Sequence, residues 1–202
     1  MKIEVFEGLL ESNTYVAYDD SNEGIIIDAS ADLKSVCDFV NEKKISIKHI
    51  VLTHGHCDHV HFVNDYKRVF KDASVICHKK ELMVLKNPEA NVSSFILGRD
   101  YTYDYDYTLV DEGDTICFGN TKLFVLNLPG HTPGSICLLD TESDTMFTGD
   151  VLFASSYGRT DFLYGSMTDM MESLRRIRRI GGNIKIYPGH YESARLKDIF
   201  GI

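Results

Sequence analysis

The segment Thr53-His54-Gly55-His56-Cys57-Asp58-His59 decides the interpretation of this sequence. It places three histidines and one carboxylate within six residues, directly after an apolar run, 50–52, that predicts a buried strand. Neutral imidazole and carboxylate are preferred ligands of Zn, Fe and Mn. A loop that leaves a strand can turn ligands at these spacings towards one point. The segment therefore predicts a metal site, and the alternative is a charged turn.

Three later segments each place one ligand-type residue beside a glycine, after an apolar run. They contain His131, Asp150 and His190. Strand ends that each offer His or Asp are typical of a site built along the edge of a sheet. Together with the first segment they supply enough ligands for two metal ions.

These residues, in this order, resemble the metallo-β-lactamase superfamily, whose H-x-H-x-D-H signature occupies 54–59. The resemblance extends over nearly the whole chain. It implies an α/β fold, the four-layer αββα sandwich, with the metals at one edge of the two sheets. In the glyoxalase II branch, the resemblance implies that one metal is held by His54, His56 and His131, the other by Asp58, His59 and His190, and that Asp150 bridges them. True β-lactamases commonly carry Cys at the position of Asp150, so the glyoxalase II-like hydrolases are the more similar branch.

The overall composition agrees with a small enzyme. A chain of 202 residues predicts a single domain, 1–202, with a sizeable core. The net charge of −9 argues against a nucleic-acid partner. The start of the sequence has no apolar leader and no stretch reaches the length of a membrane span, so we expect a cytoplasmic protein that does not bind membranes. Five cysteines without a C-x-x-C pair argue against a disulfide framework.

The ligand types alone predict hydrolytic chemistry. Two divalent ions about 3.5–4 Å apart can hold a bridging water and lower its pKa towards about 7. Asp58 is the predicted catalytic carboxylate, which ligates one ion and orients the hydroxide. The expected cofactors are two divalent ions, with Zn first and Fe or Mn as alternatives. Three functions stay open: a dinuclear hydrolase of thioesters, a mononuclear iron persulfide dioxygenase, and a non-catalytic metal-binding module. Lactone and phosphodiester hydrolysis remain alternatives for the same hydroxide.

Three residues are candidates for contact with a small-molecule substrate. His61 follows the signature where the family usually has a small residue, and the alternative is a helix residue packed behind the loop. Arg159 can orient an anionic substrate, and the alternative is an ion pair with Asp161. Tyr105 belongs to four tyrosines, 101 to 107, that alternate with polar residues and predict an extended strand with the rings on one face. These rings either wall the substrate pocket, form a self-association surface of a homo-oligomer, or cover the core.

The apolar spacing also predicts the main elements. Strands are expected at 2–6, 14–18, 24–28, 48–53 and 74–77, with more between 115 and 147. Helices are expected at 31–43, capped by Ser30, and at 60–70, 79–86 and 166–180.

Overall fold

The computed structural model describes residues 1–201, which form two six-stranded sheets. The strands are β1 Lys2–Glu7, β2 Asn13–Tyr18, β3 Glu23–Ile27, β4 Ser46–Val51, β5 Ser74–His78, β6 Tyr107–Val110, β7 Thr115–Phe118, β8 Thr121–Asn127, β9 Ile136–Asp140, β10 Thr145–Gly149, β11 Lys185–Pro188 and β12 Ala194–Arg195. The helices are α1 Leu33–Lys43, α2 Cys57–Val60, α3 Val63–Val69, α4 Leu82–Leu85, α5 Ser93–Ile96, α6 Met167–Ile180 and α7 Leu196–Phe200. Short 3-10 turns occupy Leu9–Glu11 and Lys79–Glu81.

The two sheets pack face to face between two layers of helices. The first sheet runs in the order β1 to β6, and the second in the order β12 to β7. Alternate residues of the central strands face opposite sides. Ile25 and Ile27 enter the core between the sheets, whereas Ile26 faces α1 to α3. In the second sheet Phe147 faces the first sheet, and Met146 packs with residues of α6 and α7. Strands buried on both faces explain the unbroken apolar runs in the sequence, and the predicted αββα sandwich is confirmed.

Strand direction brings the ligand-bearing loops together. Strands β3, β4 and β5 are parallel, and β10 is parallel to β11. Strand β8 points the same way as β10, because both pair antiparallel with β9. The loops that follow β4, β8, β10 and β11 therefore leave the carboxyl ends of their strands, and these loops contain the predicted ligands.

Two predicted helices differ from the structure at their starts. Helix α1 begins at Leu33, and its cap is Asp32, whose carboxylate accepts a hydrogen bond from the Ser35 backbone N–H at 3.0 Å. The predicted cap Ser30 is instead buried, and its hydroxyl accepts from the Leu9 N–H. The helix predicted at 60–70 begins only at Val63, as α3, and Val60 is instead the last residue of the separate helix α2. The chain breaks between them because the Phe62 N–H donates to the carbonyl of Ala29 at 2.9 Å.

The strand predicted for the alternating tyrosines is wrong over 101–106, and β6 starts only at Tyr107. The backbone of this segment bonds to two short helices: the Tyr103 N–H donates to the Leu85 carbonyl at the end of α4, and the Tyr101 N–H donates to the Ser93 hydroxyl at the start of α5. All four rings nevertheless pack on the cluster between the first sheet and its helices, with Tyr103 buried. Of the three interpretations, covering of the core is the one that the structure bears out. Within residues 1–201, no helix is both long and apolar enough to cross a membrane.

Candidate metal centre

The structure gathers the seven predicted ligands into one buried cluster. Three overlapping groups have ligand atoms within 4.8 Å of one another: His54, His56 and His131; His54, His59 and Asp150; and Asp58, His59 and His190. The first and the last share no residue, so the cluster offers two separate triads. The segments that meet here lie up to 136 residues apart, from His54 to His190.

Asp150 lies between the two triads. Its Oδ1 is 3.4 Å from Nε2 of His59, and its Oδ2 is 3.5 Å from Nε2 of His131. The second oxygen is also 3.7 Å from Nε2 of His190. Each triad therefore has a carboxylate oxygen of the same residue on its inner side. A bridging ligand requires this position.

Several ligand atoms have no hydrogen-bond partner among residues 1–201, although they are buried. They are Nε2 of His54, His56 and His131, and Oδ1 of Asp150. An orphaned buried polar atom costs free energy, about 1–3 kcal/mol for each hydrogen bond left unmade. Divalent ions held by the two triads and Asp150 would remove this cost by taking these atoms as ligands. The donor set of imidazole nitrogens and carboxylate oxygens thus fits such ions.

Acceptors on the outer side hold four of the five histidine rings. The Nδ1 atoms of His54, His59, His131 and His190 lie 2.7–3.2 Å from Thr53 Oγ1, Asp28 Oδ2, the Arg159 carbonyl and the Glu11 carbonyl, respectively. This contact directs Nε2 of each ring towards the cluster. Outer partners of this kind orient metal-bound histidines and raise their basicity.

Asp28 is the outer partner that connects two segments. Its Oδ2 accepts from the hydroxyl of Thr53 and faces His59, and its Oδ1 accepts from the Thr53 N–H at 2.8 Å. The sequence analysis did not identify it. The available signal was an aspartate directly after the apolar run of β3, which is parallel to the strand that leads into the first ligand loop.

Electrostatics in the cluster favour a bound cation. Burial lowers the pKa of His54 and His56 well below the ordinary value, and burial also lowers that of His131. These rings are therefore neutral and have a free lone pair at neutral pH. Burial also acts to lower the pKa of His59, but the carboxylates of Asp150 and Asp58 outweigh it and raise this pKa to about 10. A proton on His59 and a metal ion would neutralise the same negative charge.

Glu81 ties two ligand loops together and was also missed by the sequence analysis. Its carboxylate is fully buried. One oxygen accepts from the N–H of Gly55, in the first ligand loop, at 2.7 Å. The other accepts from the N–H of Gly134 and the hydroxyl of Thr132, both at 2.7 Å, in the loop of His131. Burial raises the pKa of Glu81 to about 7. Its position three residues after β5, beside β4, was the available signal.

The cluster opens into a cavity of about 410 Å³. Asp58, Asp150 and three of the ligand histidines form part of its lining, and Arg159 lies on its wall. The Arg159 guanidinium donates two hydrogen bonds to the carboxylate of Asp161, at 2.9 and 2.7 Å. The ion pair weighed in the sequence analysis is thus present. Neither His61 nor Tyr105 is among the lining residues.

His61 and Tyr105 lie away from the cavity. The His61 ring packs against Phe62 and Tyr101. Tyr105 packs against the core and lies edge-on to Tyr107. Their roles in substrate binding stay predictions. Cys57, inside the ligand loop, is buried, and burial raises the pKa of its thiol to about 12. All five cysteines, which lie within the described residues, are free.

Comparison with known proteins places this arrangement in context. Residues 8–190 match the sequence profile of the family described as "Metallo-beta-lactamase superfamily". A protein of Haemophilus influenzae named hydroxyacylglutathione hydrolase GloC is 29% identical over 192 residues, which cover 94% of this chain and 91% of that protein. The crystal structure of BLEG-1 B3 metallo-beta-lactamase aligns with a TM-score of 0.91 and 28% identity, over 100% of this chain and 97% of that one. TTHA1623 in a di-iron-bound form aligns with a TM-score of 0.84 and 26% identity, over 98% and 96% of the two chains.

Proposed function

Because this chain belongs to the metallo-beta-lactamase superfamily and is a metal-dependent hydrolase, we propose that it hydrolyses a thioester at a centre of two divalent ions. The observation that carries the proposal is the position of Asp150, whose carboxylate oxygens lie 3.4–3.7 Å from histidine Nε2 atoms of both ligand triads. The name of the Haemophilus influenzae relative supports the thioester, with a hydroxyacyl thioester of glutathione as the first substrate to test.

The residues divide into two sites that share a carboxylate. His54, His56 and His131 would hold one ion, and Asp58, His59 and His190 would hold the other, with Asp150 between them. Bound ions supply Lewis-acid polarisation of the substrate carbonyl and lower the pKa of water towards about 7. We propose Zn as the resident metal, because nitrogen and oxygen donors suit it. The di-iron form of TTHA1623 makes Fe the second choice.

Asp58 has a further role in this proposal. Its carboxylate lines the cavity, and its Oδ2 lies 3.4 Å from Nε2 of His190. Burial acts to raise its pKa, but the nearby charge of His59 and the contact with His190 hold that pKa well below the usual range. The carboxylate therefore stays ionised and accepts a hydrogen bond from the attacking water, which fixes the direction of the water's lone pair.

A thioester suits the groups that line the cavity. In the reaction, the oxygen of water bonds to the acyl carbon, the C–S bond breaks, and the products are a carboxylic acid and a thiol. A thiolate leaves without a proton donor, because the pKa of a thiol is about 8.5. The carboxyl and imidazole groups of the lining all belong to the ligand cluster. The reaction thus needs no additional general acid.

We propose one domain, 1–202, that acts in the cytoplasm on a small molecule, with no nucleic-acid or membrane partner. The test is elemental analysis of the purified protein, with assays against a thioester, a lactone, a phosphodiester and a β-lactam. We expect about two ions per chain, thioester turnover that is lost on chelation, and recovery with Zn, Mn or Fe. Full thioester turnover by protein verified as metal-free would overturn the mechanism. One iron per chain, with oxygen uptake on a persulfide, would assign the dioxygenase function instead.

A further inference from the structure

The mouth of the cavity is apolar. Above the ligand cluster its walls carry exposed apolar side chains, among them Leu10, Phe95 and Tyr191, which are 55%, 79% and 66% exposed. They come from three separate segments of the chain and surround one opening. An exposed apolar rim around a polar floor is typical of a ligand-binding cleft.

The backbone of this rim is strained. Leu10, Val92 and Tyr191 all have positive φ, at 53°, 59° and 66°, and all three line the cavity. Non-glycine residues rarely occupy this region, and for a β-branched residue such as Val92 it is a genuine outlier. Such strain persists only where the surroundings enforce it, and it clusters at ligand-binding sites.

Hydrogen bonds of two buried asparagines hold the backbone at Tyr191 and directly after Val92. The side chain of Asn13 donates to the Tyr191 carbonyl at 2.8 Å. Asn91 accepts from the N–H of Ser93, directly after Val92, at 2.9 Å. The same Asn91 donates to the carbonyl of Tyr101 at 2.9 Å. Glycine would relieve the strain at Tyr191, so replacement by glycine removes the ring without imposing new backbone strain.

The walls of the cavity offer few cationic side chains to an anionic thiol group. Among the described lining residues Arg159 is the only lysine or arginine. Its guanidinium is already paired with Asp161 and lies 4.3 Å from the Phe162 ring centroid. The carboxylates of Asp58 and Asp150 in the lining belong to the ligand cluster, where bound ions would offset their charge, so recognition of carboxylates on the thiol depends on the walls. Glutathione has two carboxylates, and the walls offer them no unpaired cation.

We propose that the rim selects thioesters with an apolar acyl group on an uncharged thiol, in preference to small hydroxyacyl esters of glutathione. This inference rests on the proposed thioesterase function and names its substrate class. The acyl chain packs against Leu10, Phe95 and Tyr191, while the carbonyl lies at the ligand cluster.

The first experiment varies the substrate of the metal-loaded protein. Acetyl, butyryl and hexanoyl thioesters of N-acetylcysteamine and of glutathione are compared by kcat/KM. We expect kcat/KM to rise with chain length on both thiols, by up to about fourfold per methylene, from the transfer free energy of a buried methylene. For one acyl group, the N-acetylcysteamine ester should be the better substrate.

The second experiment varies the rim. Tyr191→Gly removes the ring and relieves the positive φ, and Phe95→Ser removes an apolar side chain that is distant in sequence from every ligand. Each should lower the ratio of hexanoyl to acetyl kcat/KM about tenfold, with metal content retained. Tyr191→Phe keeps the ring and should retain the wild-type ratio of hexanoyl to acetyl kcat/KM. Because the strain is relieved, the Tm of Tyr191→Gly should not fall, and a rise of about 2–4 °C is expected.

Lys44→Gly is the matched control. Lys44 ends α1 with φ of 55° and is exposed, away from the cavity. Its replacement should raise Tm to a similar extent, without changing the substrate ratio. Glutathione esters that are preferred over neutral esters, or ratios unchanged in both rim variants, would overturn the inference while leaving the thioesterase intact. If the metal-loaded protein hydrolyses no thioester at all, the proposed function itself fails.

Discussion

Glu81→Gln is the most informative single change, because it removes one acceptor from the tether between two ligand loops. The wild-type carboxylate receives three hydrogen bonds, from Gly55 on one oxygen and from Gly134 and Thr132 on the other. The amide of glutamine keeps one oxygen and turns an NH₂ group towards the donors of the other loop. One loop therefore loses its acceptor, and a buried donor is left unsatisfied.

Two contributions of opposite sign then act on the free energy of unfolding. The unsatisfied donor costs about 1–3 kcal/mol. In the wild type, burial raises the pKa of Glu81 from 4.5 to about 7. The charged form is therefore disfavoured in the folded state by about 3 kcal/mol above pH 7, and glutamine removes that penalty. Because the two contributions nearly cancel, we expect a small change in Tm.

Metal affinity is the sensitive measurement, because the tether positions the loops that carry His54, His56 and His131. Loss of an outer partner typically weakens metal binding about 10–100-fold. We expect a loss of this size for Glu81→Gln at pH 7.5, measured by competition with a chromophoric chelator. The difference in metal affinity between the wild type and Glu81→Gln should become smaller well below pH 7, because the wild-type carboxyl is then protonated and has also lost an acceptor.

The matched control is Glu112→Gln. Its carboxylate also accepts at both oxygens, from the Asn127 N–H and from Arg176, but it is exposed and lies outside the ligand cluster. The metal affinity of the Glu112→Gln variant should equal that of the wild type. A dissociation constant for Glu81→Gln within about threefold of the wild-type value would refute the positioning role, since the smallest expected loss is about tenfold.

Three further predictions concern the ligand cluster itself. Asp58→Ala and His190→Ala should each lower bound metal from about two ions to about one by elemental analysis, and should cut hydrolysis by orders of magnitude with the fold retained. Asp150→Ala should lower metal content and hydrolysis rate further than either. An Asp150→Ala variant with two bound metals and a near-normal rate would show that the bridge is assigned to the wrong residue. Gly189→Ala should displace Asp150, because a Cβ at this position would overlap Asp150 Oδ1. Metal content and turnover should therefore fall together. Unchanged metal content and turnover would mean that the loop adapts to the added methyl group. In metal-free protein, the three histidines with lowered pKa take up protons more readily when unfolded, so Tm should fall as the pH drops below 6.5. Two groups with raised pKa act in the opposite direction: His59 does so above pH 6.5, and Glu81 is the one that still does so below it. A Tm that rises on acidification below pH 6.5 would contradict the assignment.

The chemistry of the site was readable from the sequence, because ligand identity is local. The dense histidine segment at 54–59 and the glycine-flanked His131, Asp150 and His190 can be recognised without a fold. The αββα sandwich was predicted from the family resemblance that these segments carry, and the apolar runs of strand length agree with strands buried on both faces. The helix predicted at 166–180 occurs at Met167–Ile180 with Ser166 as its cap, because capping and amphipathic spacing are short-range signals.

Only the tertiary structure decided which groups act together from distant parts of the chain. Asp28 and Glu81 are ordinary acidic residues in the sequence, and they matter because parallel strands β3, β4 and β5 bring their carboxyl ends to one edge of the sheet. The alternating tyrosines illustrate the opposite case. Their pattern predicted a strand, but the backbone found partners in Leu85 and Ser93, and long-range hydrogen bonds outweighed local spacing. The apolar rim was equally hidden, because Leu10, Phe95 and Tyr191 meet only when two sheets pack and their loops converge.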